Sequence, residues 1–353
     1  MTQLAELTTL RLGGPAREVL ECTDRDSLIS VIDRCDDAGE PVLVLGGGSN
    51  ILAADEGFAG TVVRTSTSGI ETRAAGKRVL LTAQAGEPWD RLVHNCVEAG
   101  LAGIECLAGI PGSTGATPIQ NVGAYGQEVA QTISQVVAYD RMTKEVHAFS
   151  PIECRFEYRS SEFKQHVGRW VVLEVTYALK EGERSEPIRY AELARRLGIS
   201  VGESAPLSRV RDAVLQLRRA KGMVLDPDDP DTVSAGSFFL NPILGREQIT
   251  ELRKRVHYHC GASVEPPTFS AADGQVKTSA AWLIERAGFH RGYGDPGGIA
   301  ISSKHTLALT NRGGGSTAEL VALARKIART VEQKFGVEIK PEPVFVGHAW
   351  SAS

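Results

Sequence analysis

The 6 cysteines of this chain contain no CxxC pair and do not group with the 8 histidines at metal-ligand spacing, so no metal site or redox dithiol is expected. Cys22, Cys35, Cys96, Cys106, Cys154 and Cys260 read as scattered, reduced, buried thiols. Charge of one sign is also missing. With 39 Lys and Arg against 43 Asp and Glu the net charge is −4, without long single-sign runs, which argues against a nucleic-acid partner. No apolar stretch approaches the ~18 residues of a membrane span. The opening residues MTQLAE lack the basic and apolar regions of a secretion signal, so the expectation is a cytoplasmic protein with no membrane partner. Internal repeats and low-complexity tracts are absent as well, and no obligatory protein partner is evident. An anionic ligand must then be held by local NH groups, Lys and Arg, because the field of the whole protein is weak.

At 353 residues the chain exceeds what one hydrophobic core usually serves, and two or three domains are expected. Periodicity predicts helices over 26–39, 207–220, 246–256 and 280–287, with a further one starting after Pro88 and stopped by Gly100. The clearest helix follows STAE at 316–319, a capping box, and ends at Gly336. Strands are expected over 41–45, 133–140, 146–149 and 170–179, and one or two short ones over 337–346. The breaker-rich DPDDP at 226–230 marks a domain boundary. Residues 103–126 hold six glycines and two prolines, too many for a helix or central strand, and long loops of this kind are usually functional.

Two glycine segments carry the chemistry. In LGGGSN at 45–50, glycines let the backbone approach a ligand while Ser49 and Asn50 add donors, which suits a phosphate or pyrophosphate and equally suits a tight turn. The spacing is neither GxGxxG nor GxxxxGK[ST], so the Rossmann and P-loop readings lose support. In GIPGSTGATPIQNVGAYG at 109–126, the small residues Gly112, Ser113, Gly115 and Ala116 would let the chain lie against a flat ring and a pyrophosphate. Gln120 and Asn121 could meet heteroatom edges. Embedded Ile110, Ile119, Val122 and Tyr125 suggest an ordered, partly buried loop.

These segments, followed in order by RFEYRSSEFK at 155–164, SAGSFFLNP at 234–242, AWLIE at 281–285, SKH at 303–305 and KPEPVF at 340–345, resemble the UDP-N-acetylenolpyruvoylglucosamine reductase family. The likeness runs from Thr9 to Gly347. It implies an α+β fold: a two-part FAD-binding domain of the vanillyl-alcohol-oxidase type over 1–65 and 66–225, a separate α+β substrate-binding domain over 226–336, and a C-terminal segment, 337–353, returning to the FAD-binding domain. It further implies non-covalent FAD, NADPH as electron donor, and UDP-N-acetylglucosamine enolpyruvate as acceptor, the last two sharing one site. By this resemblance FAD would contact Leu45, Gly46, Gly47, Gly48, Ser49 and Asn50, and in the second segment Ile110, Pro111, Gly112, Ser113, Gly115, Ala116, Gln120, Asn121 and Gly123.

The same resemblance assigns the reaction to Arg159, Ser237 and Glu342. Hydride addition to an enol ether conjugated with a carboxylate leaves enolate-like charge, which the planar guanidinium of Arg159 suits. Ser237 would then protonate C2. Glu342 would act protonated, donating to the intermediate, since a bare carboxylate there is repulsive. Tyr158, Tyr190, Arg218, Lys221, Asn241 and Arg286 fall at substrate-contact positions, and Tyr190 in PIRYAEL resembles the substrate-covering tyrosine of a longer subtype. Two positions depart from the pattern: Arg286 stands where many relatives carry Gln, and Val344 where some carry a basic residue. The rival readings are an FAD-dependent sugar or alcohol oxidase of the same fold, disfavoured as a covalent flavoprotein because neither glycine segment contains His or Cys, and a non-catalytic UDP-sugar-binding regulator, which need not keep all three reactive residues.

Overall fold

The computed structural model describes residues 1–350 and divides the chain into two compact units. The first comprises Met1–Thr2, Ala16–Gly48 and Ala59–Val224; the second comprises Gln3–Pro15, Ser49–Phe58 and the chain from Leu225 onward.

In the first unit a five-strand antiparallel path runs Glu145–Phe149, Ile133–Asp140, Trp170–Glu181, Arg78–Gln84, Ile70–Ala75. Side chains alternate across the strand Ile133–Asp140, so Val136 and Ala138 enter one core cluster while Val137 and Tyr139 enter another. The smaller cluster is closed by the helix Arg25–Asp37, which buries Leu28, Ile32 and Cys35 on one face. Asp24 caps that helix by accepting the Ser27 N–H at 2.8 Å, as its position before the apolar stripe dictates. The larger cluster is covered by the helices Trp89–Glu98, Ala191–Leu197 and Leu207–Ala220. A three-stranded sheet, in the order Ala16–Cys22, Phe58–Thr65, Val42–Leu45, delivers the chain to the first glycine segment.

The second unit is built around the helix Thr317–Phe335, whose capping box forms as its sequence requires: Glu319 N–H donates to Ser316 Oγ at 3.2 Å and Ser316 N–H returns to Glu319 Oε2 at 2.8 Å. Leu320, Ala324, Ile327, Val331 and Phe335 on one stripe are fully buried, and each large apolar side chain so placed stabilises the fold by about 1.5–3 kcal/mol. They pack with the helices Arg246–Cys260 and Ala280–Ala287 and with Leu10 and Leu12 of the N-terminal segment. Asn311 fastens that segment, donating to the carbonyls of Leu10 and Arg11 at 3.2 Å each. The strand Val344–Val346 pairs in parallel with Ile51–Ala53, so widely separated stretches of sequence complete one unit. Among the described residues no helix is long and apolar enough to cross a membrane.

Candidate active site

The motif LGGGSN is divided between the units: Gly46, Gly47 and Gly48 belong to the first, Ser49 and Asn50 to the second. Within the first unit the strand Val42–Leu45 drives its trailing glycines against the second glycine segment. A Cβ on Gly47 would lie 2.7 Å from Gly112 Cα, and one on Gly46 would overlap Ser113 Oγ. Backbone meets backbone there, and only glycine permits it. Gly48 (φ 60°) and Gly112 (φ 117°) also occupy left-handed backbone.

The amides of residues 114–116 are committed. Thr114 N–H bonds to Glu87, Gly115 N–H to Ala85 and Ala116 N–H to Ser113, at 2.8, 2.8 and 3.1 Å. By contrast, the N–H groups of Gly46, Gly47, Gly48, Gly112 and Ser113 donate to no backbone carbonyl among the described residues. Uncommitted donors beside glycine, with no side-chain bulk, match the oxygens of a pyrophosphate. These residues therefore fit FAD.

The far end of the segment is held by Asn121, which sits in left-handed backbone (φ 44°) and is 2 % exposed. Its Nδ2 donates to Glu128 Oε2 at 2.9 Å and to the Glu157 carbonyl at 3.1 Å, and its Oδ1 accepts the Ala130 N–H at 3.1 Å. The Asn121 side chain thus serves the loop itself. Its carbonyl instead accepts from Arg159 Nη1 at 3.3 Å, and Gly123 O accepts from Nη2 at 2.8 Å. Arg159 is also in left-handed backbone (φ 55°), a conformation that costs a branched-off side chain energy and persists where surrounding bonds enforce it. The guanidinium lies 5.9 Å from the Tyr158 ring.

Beside this loop the helix Leu207–Ala220 ends in cations. A Cβ on Gly109 would come within 3.3 Å of Arg218 Nε, so the Arg218 side chain packs on the loop's first turn. Burial pushes Arg218 down to about 10, which still leaves it charged at neutral pH, and its Nη2 donates to the Met223 carbonyl at 2.7 Å. Lys221 pairs with Glu192 at 2.8 Å and lies 5.9 Å from the Tyr125 ring. Tyr125 meets Tyr190 edge to face at 5.4 Å, which brings Tyr190 to the tip of the second glycine segment. Burial raises Tyr125 to about 12, so it stays a neutral phenol.

In the second unit the segment after Ser237 runs antiparallel to 340–342. Leu240 N–H bonds to the Lys340 carbonyl at 2.9 Å, Glu342 N–H bonds to the Phe238 carbonyl at 2.8 Å, and Phe239 bridges Pro341. Phe238 and Phe239 are buried, and the pairing sets Phe238 opposite Glu342, with Ser237 the next residue along the chain; Ser237 and Glu342 are both half-buried. Asn50 joins them: its Nδ2 reaches the Glu342 carbonyl at 3.3 Å and its own carbonyl accepts the Val344 N–H at 2.9 Å. Asn241 Oδ1 accepts the Ala280 N–H at 3.0 Å, while Arg286 stacks at 5.5 Å on Trp282 of its own helix. One residue escaped the sequence reading: Thr9 Oγ1 bonds to the Ser234 carbonyl at 2.8 Å and so steadies the SAGSFF segment. Nothing local in TTLRLGG signals that long-range contact.

Residues 16–145, which include both glycine segments, match the model of an FAD-binding domain. The fold and this site define an FAD-dependent oxidoreductase. Residues 228–346 match the model of the UDP-N-acetylenolpyruvoylglucosamine reductase C-terminal domain. The chain is 53 % identical over 345 residues to the UDP-N-acetylenolpyruvoylglucosamine reductase of Thermobifida fusca, covering 98 % of this chain and 96 % of that one. With the enzyme of the same name from Streptomyces coelicolor it shares 54 % over 347 residues, covering 98 % and 89 %. The crystal structure of UDP-N-acetylenolpyruvylglucosamine reductase from Thermus caldophilus has the same fold, with a TM-score of 0.63 at 23 % identity over 98 % of this chain and 97 % of that one. The chain belongs to the UDP-N-acetylenolpyruvoylglucosamine reductase family.

Proposed function

We propose that this protein uses NADPH to reduce UDP-N-acetylglucosamine enolpyruvate to UDP-N-acetylmuramate, a step of peptidoglycan precursor synthesis, in the cytoplasm. The observation that supports this reading is the pairing of 238–240 with 340–342, which brings the chain segments carrying Ser237 and Glu342 side by side. FAD, held non-covalently at Gly46, Gly47, Gly48, Gly112 and Ser113, supplies hydride transfer between donor and acceptor. NADPH and the UDP-sugar take turns in one site.

Arg159 binds the enolpyruvyl carboxylate and holds the negative charge that hydride addition at the terminal methylene places on it. Two of its donors are anchored on loop carbonyls, so the guanidinium presents a fixed face and needs little reorganisation as charge develops. The Ser237 hydroxyl gives its proton to C2, completing the addition of one hydride and one proton across the double bond. Glu342 in its protonated form donates a hydrogen bond to the same oxygens. Arg218 and Lys221 meet the diphosphate, while Tyr158, Tyr190, Asn241 and Arg286 contact the rest of the substrate.

The test is anaerobic. NADPH should bleach the yellow protein, and the enolpyruvyl UDP-sugar should then restore its colour within the turnover time. Flavin that NADPH bleaches but this acceptor leaves bleached overturns the substrate assignment.

A further inference from the structure

Glu105 lies near the start of the 103–126 loop, just ahead of the second glycine segment, and is fully buried. Its partners are dipoles: Oε2 accepts the Gly103 N–H at 2.7 Å and Oε1 accepts from Gln127 Nε2 at 2.9 Å. Gln127 Oε1 in turn accepts the Cys106 N–H at 2.8 Å. Residues 103–106 open the loop, and Gln127 immediately follows its last glycine. Two of these buried bonds, to and from Gln127, therefore tie the loop's two ends together, while the Gly103 bond holds the Glu105 carboxylate within its own end.

A cavity of about 250 Å³ borders the loop's two ends, lined by Gly103, Cys106, Tyr125, Gly126 and Gln127 among others. Burial also pushes the Glu105 carboxyl upward, against the donors that stabilise it. A fully buried acid whose hydrogen-bond partners are dipoles depends on the polarity of those bonds.

We propose that Glu105 and Gln127 form a clasp that positions the FAD cradle, Glu105 acting as a positioning residue through Gln127. The inference rests on the reading that the second glycine segment holds FAD. The polarity of the clasp allows one solution. Two backbone N–H groups and one amide NH₂ need three acceptor sites, which one carboxylate and one amide oxygen supply. Changing Glu105 to the amide puts two donors face to face. Turning the Gln127 amide over only moves the conflict to the Cys106 N–H. Exchanging the two residues cures it: the amide at position 105 accepts from Gly103 and donates to the carboxylate at 127, which also accepts from Cys106.

With the ends loosened, the free protein samples more loop conformations, and FAD must order them on binding. A buried donor left unsatisfied should weaken FAD binding by about fivefold to a hundredfold. The experiment strips and reconstitutes the full chain and measures FAD affinity by flavin fluorescence in wild type, E105Q, E105Q/Q127E and Gly47→Ala. E105Q should lose affinity and the double exchange should regain most of it. Wild-type affinity in E105Q, or an exchange as weak as E105Q, overturns the clasp. If E105Q does not fold, a folded, FAD-binding exchange variant still supports it, and an exchange variant that also fails to fold overturns it. Gly47→Ala separates the two readings. Unchanged affinity there rejects the cradle and the clasp with it, whereas weakened affinity there with wild-type E105Q rejects the clasp alone.

Discussion

Each unit carries a candidate functional region, and the two regions are built by opposite means. In the first, the proposed ligand contacts are mostly backbone: glycine N–H groups at 46–48 and 112, and an arginine held by the carbonyls of residues 121 and 123. In the second the proposed groups are side chains, Ser237 and Glu342, on two segments that pair irregularly beside two buried phenylalanines. A backbone site leaves no side chain to delete and is damaged by added bulk. The side-chain site has no such tight approach and is damaged by removing a single functional group. One region suits binding a large cofactor tightly, and the other suits moving one proton.

The strongest test of that contrast is Ser237→Ala. Turnover should fall by about 10²–10⁴-fold, the range for a lost general acid, while NADPH reduces the flavin at the wild-type rate. Stopped-flow absorbance resolves both phases, and equal slowing of the two would show that the second unit also serves the cofactor. Smaller and of the opposite kind is Gly47→Ala. Its Cβ would sit 2.7 Å from Gly112 Cα, and overpacking of about 1–3 kcal/mol predicts FAD affinity lower by about fivefold to a hundredfold, with turnover per bound flavin retained. A loss of turnover at saturating FAD would break the division between binding and chemistry.

The smallest effect concerns acid stability. Hydrogen bonds from Arg169 hold Asp140 down to about 2, against burial. Its unfolded value is about 3.9, so this contribution is complete above about pH 4 and fades as pH falls toward 2. Asp140→Asn should lower Tm at neutral pH and flatten the Tm profile between pH 4 and 2, leaving FAD affinity and turnover unchanged. Profiles that stay parallel would show that the Asp140 carboxylate does not carry this acid sensitivity, and a variant that loses FAD would show that side-chain pairs in the first unit do more than hold the fold.

Helices with explicit ends were legible. Leu207–Ala220 and Ala280–Ala287 lie where their apolar stripes place them, and Thr317–Phe335 follows its capping box to Gly336. Strands whose residues face solvent were not. Ile70–Ala75 is exposed at every position, so it carries no alternation and shows itself only through pairing with Arg78–Gln84. Tyr190 offers no side-chain cap, and the short helix Ala191–Leu197 behind it went unnoticed. The glycine segments could be recognised, yet composition could not say that 103–126 contains short 3₁₀ turns and a two-residue hairpin rung at 123–124. Asn121 shows the same limit at one residue. Its type suggested a ligand contact, while its side chain bonds to Glu128, Glu157 and Ala130, partners no spacing rule connects.

The parallel pairing of Val344–Val346 with Ile51–Ala53 has a bearing on how the chain is made. Leu10, Leu12 and Leu52 leave the ribosome early, but their core partners Phe238, Leu320 and Phe335 are synthesised some two hundred residues or more later. The first unit has nearly all its sequence once Val224 has emerged, whereas the second waits for residue 346. Until then the early apolar segments are unsheltered, and contacts of such long sequence separation form slowly. Truncation near the C-terminus therefore removes more than a short strand: it strands the beginning of the protein as well as its end.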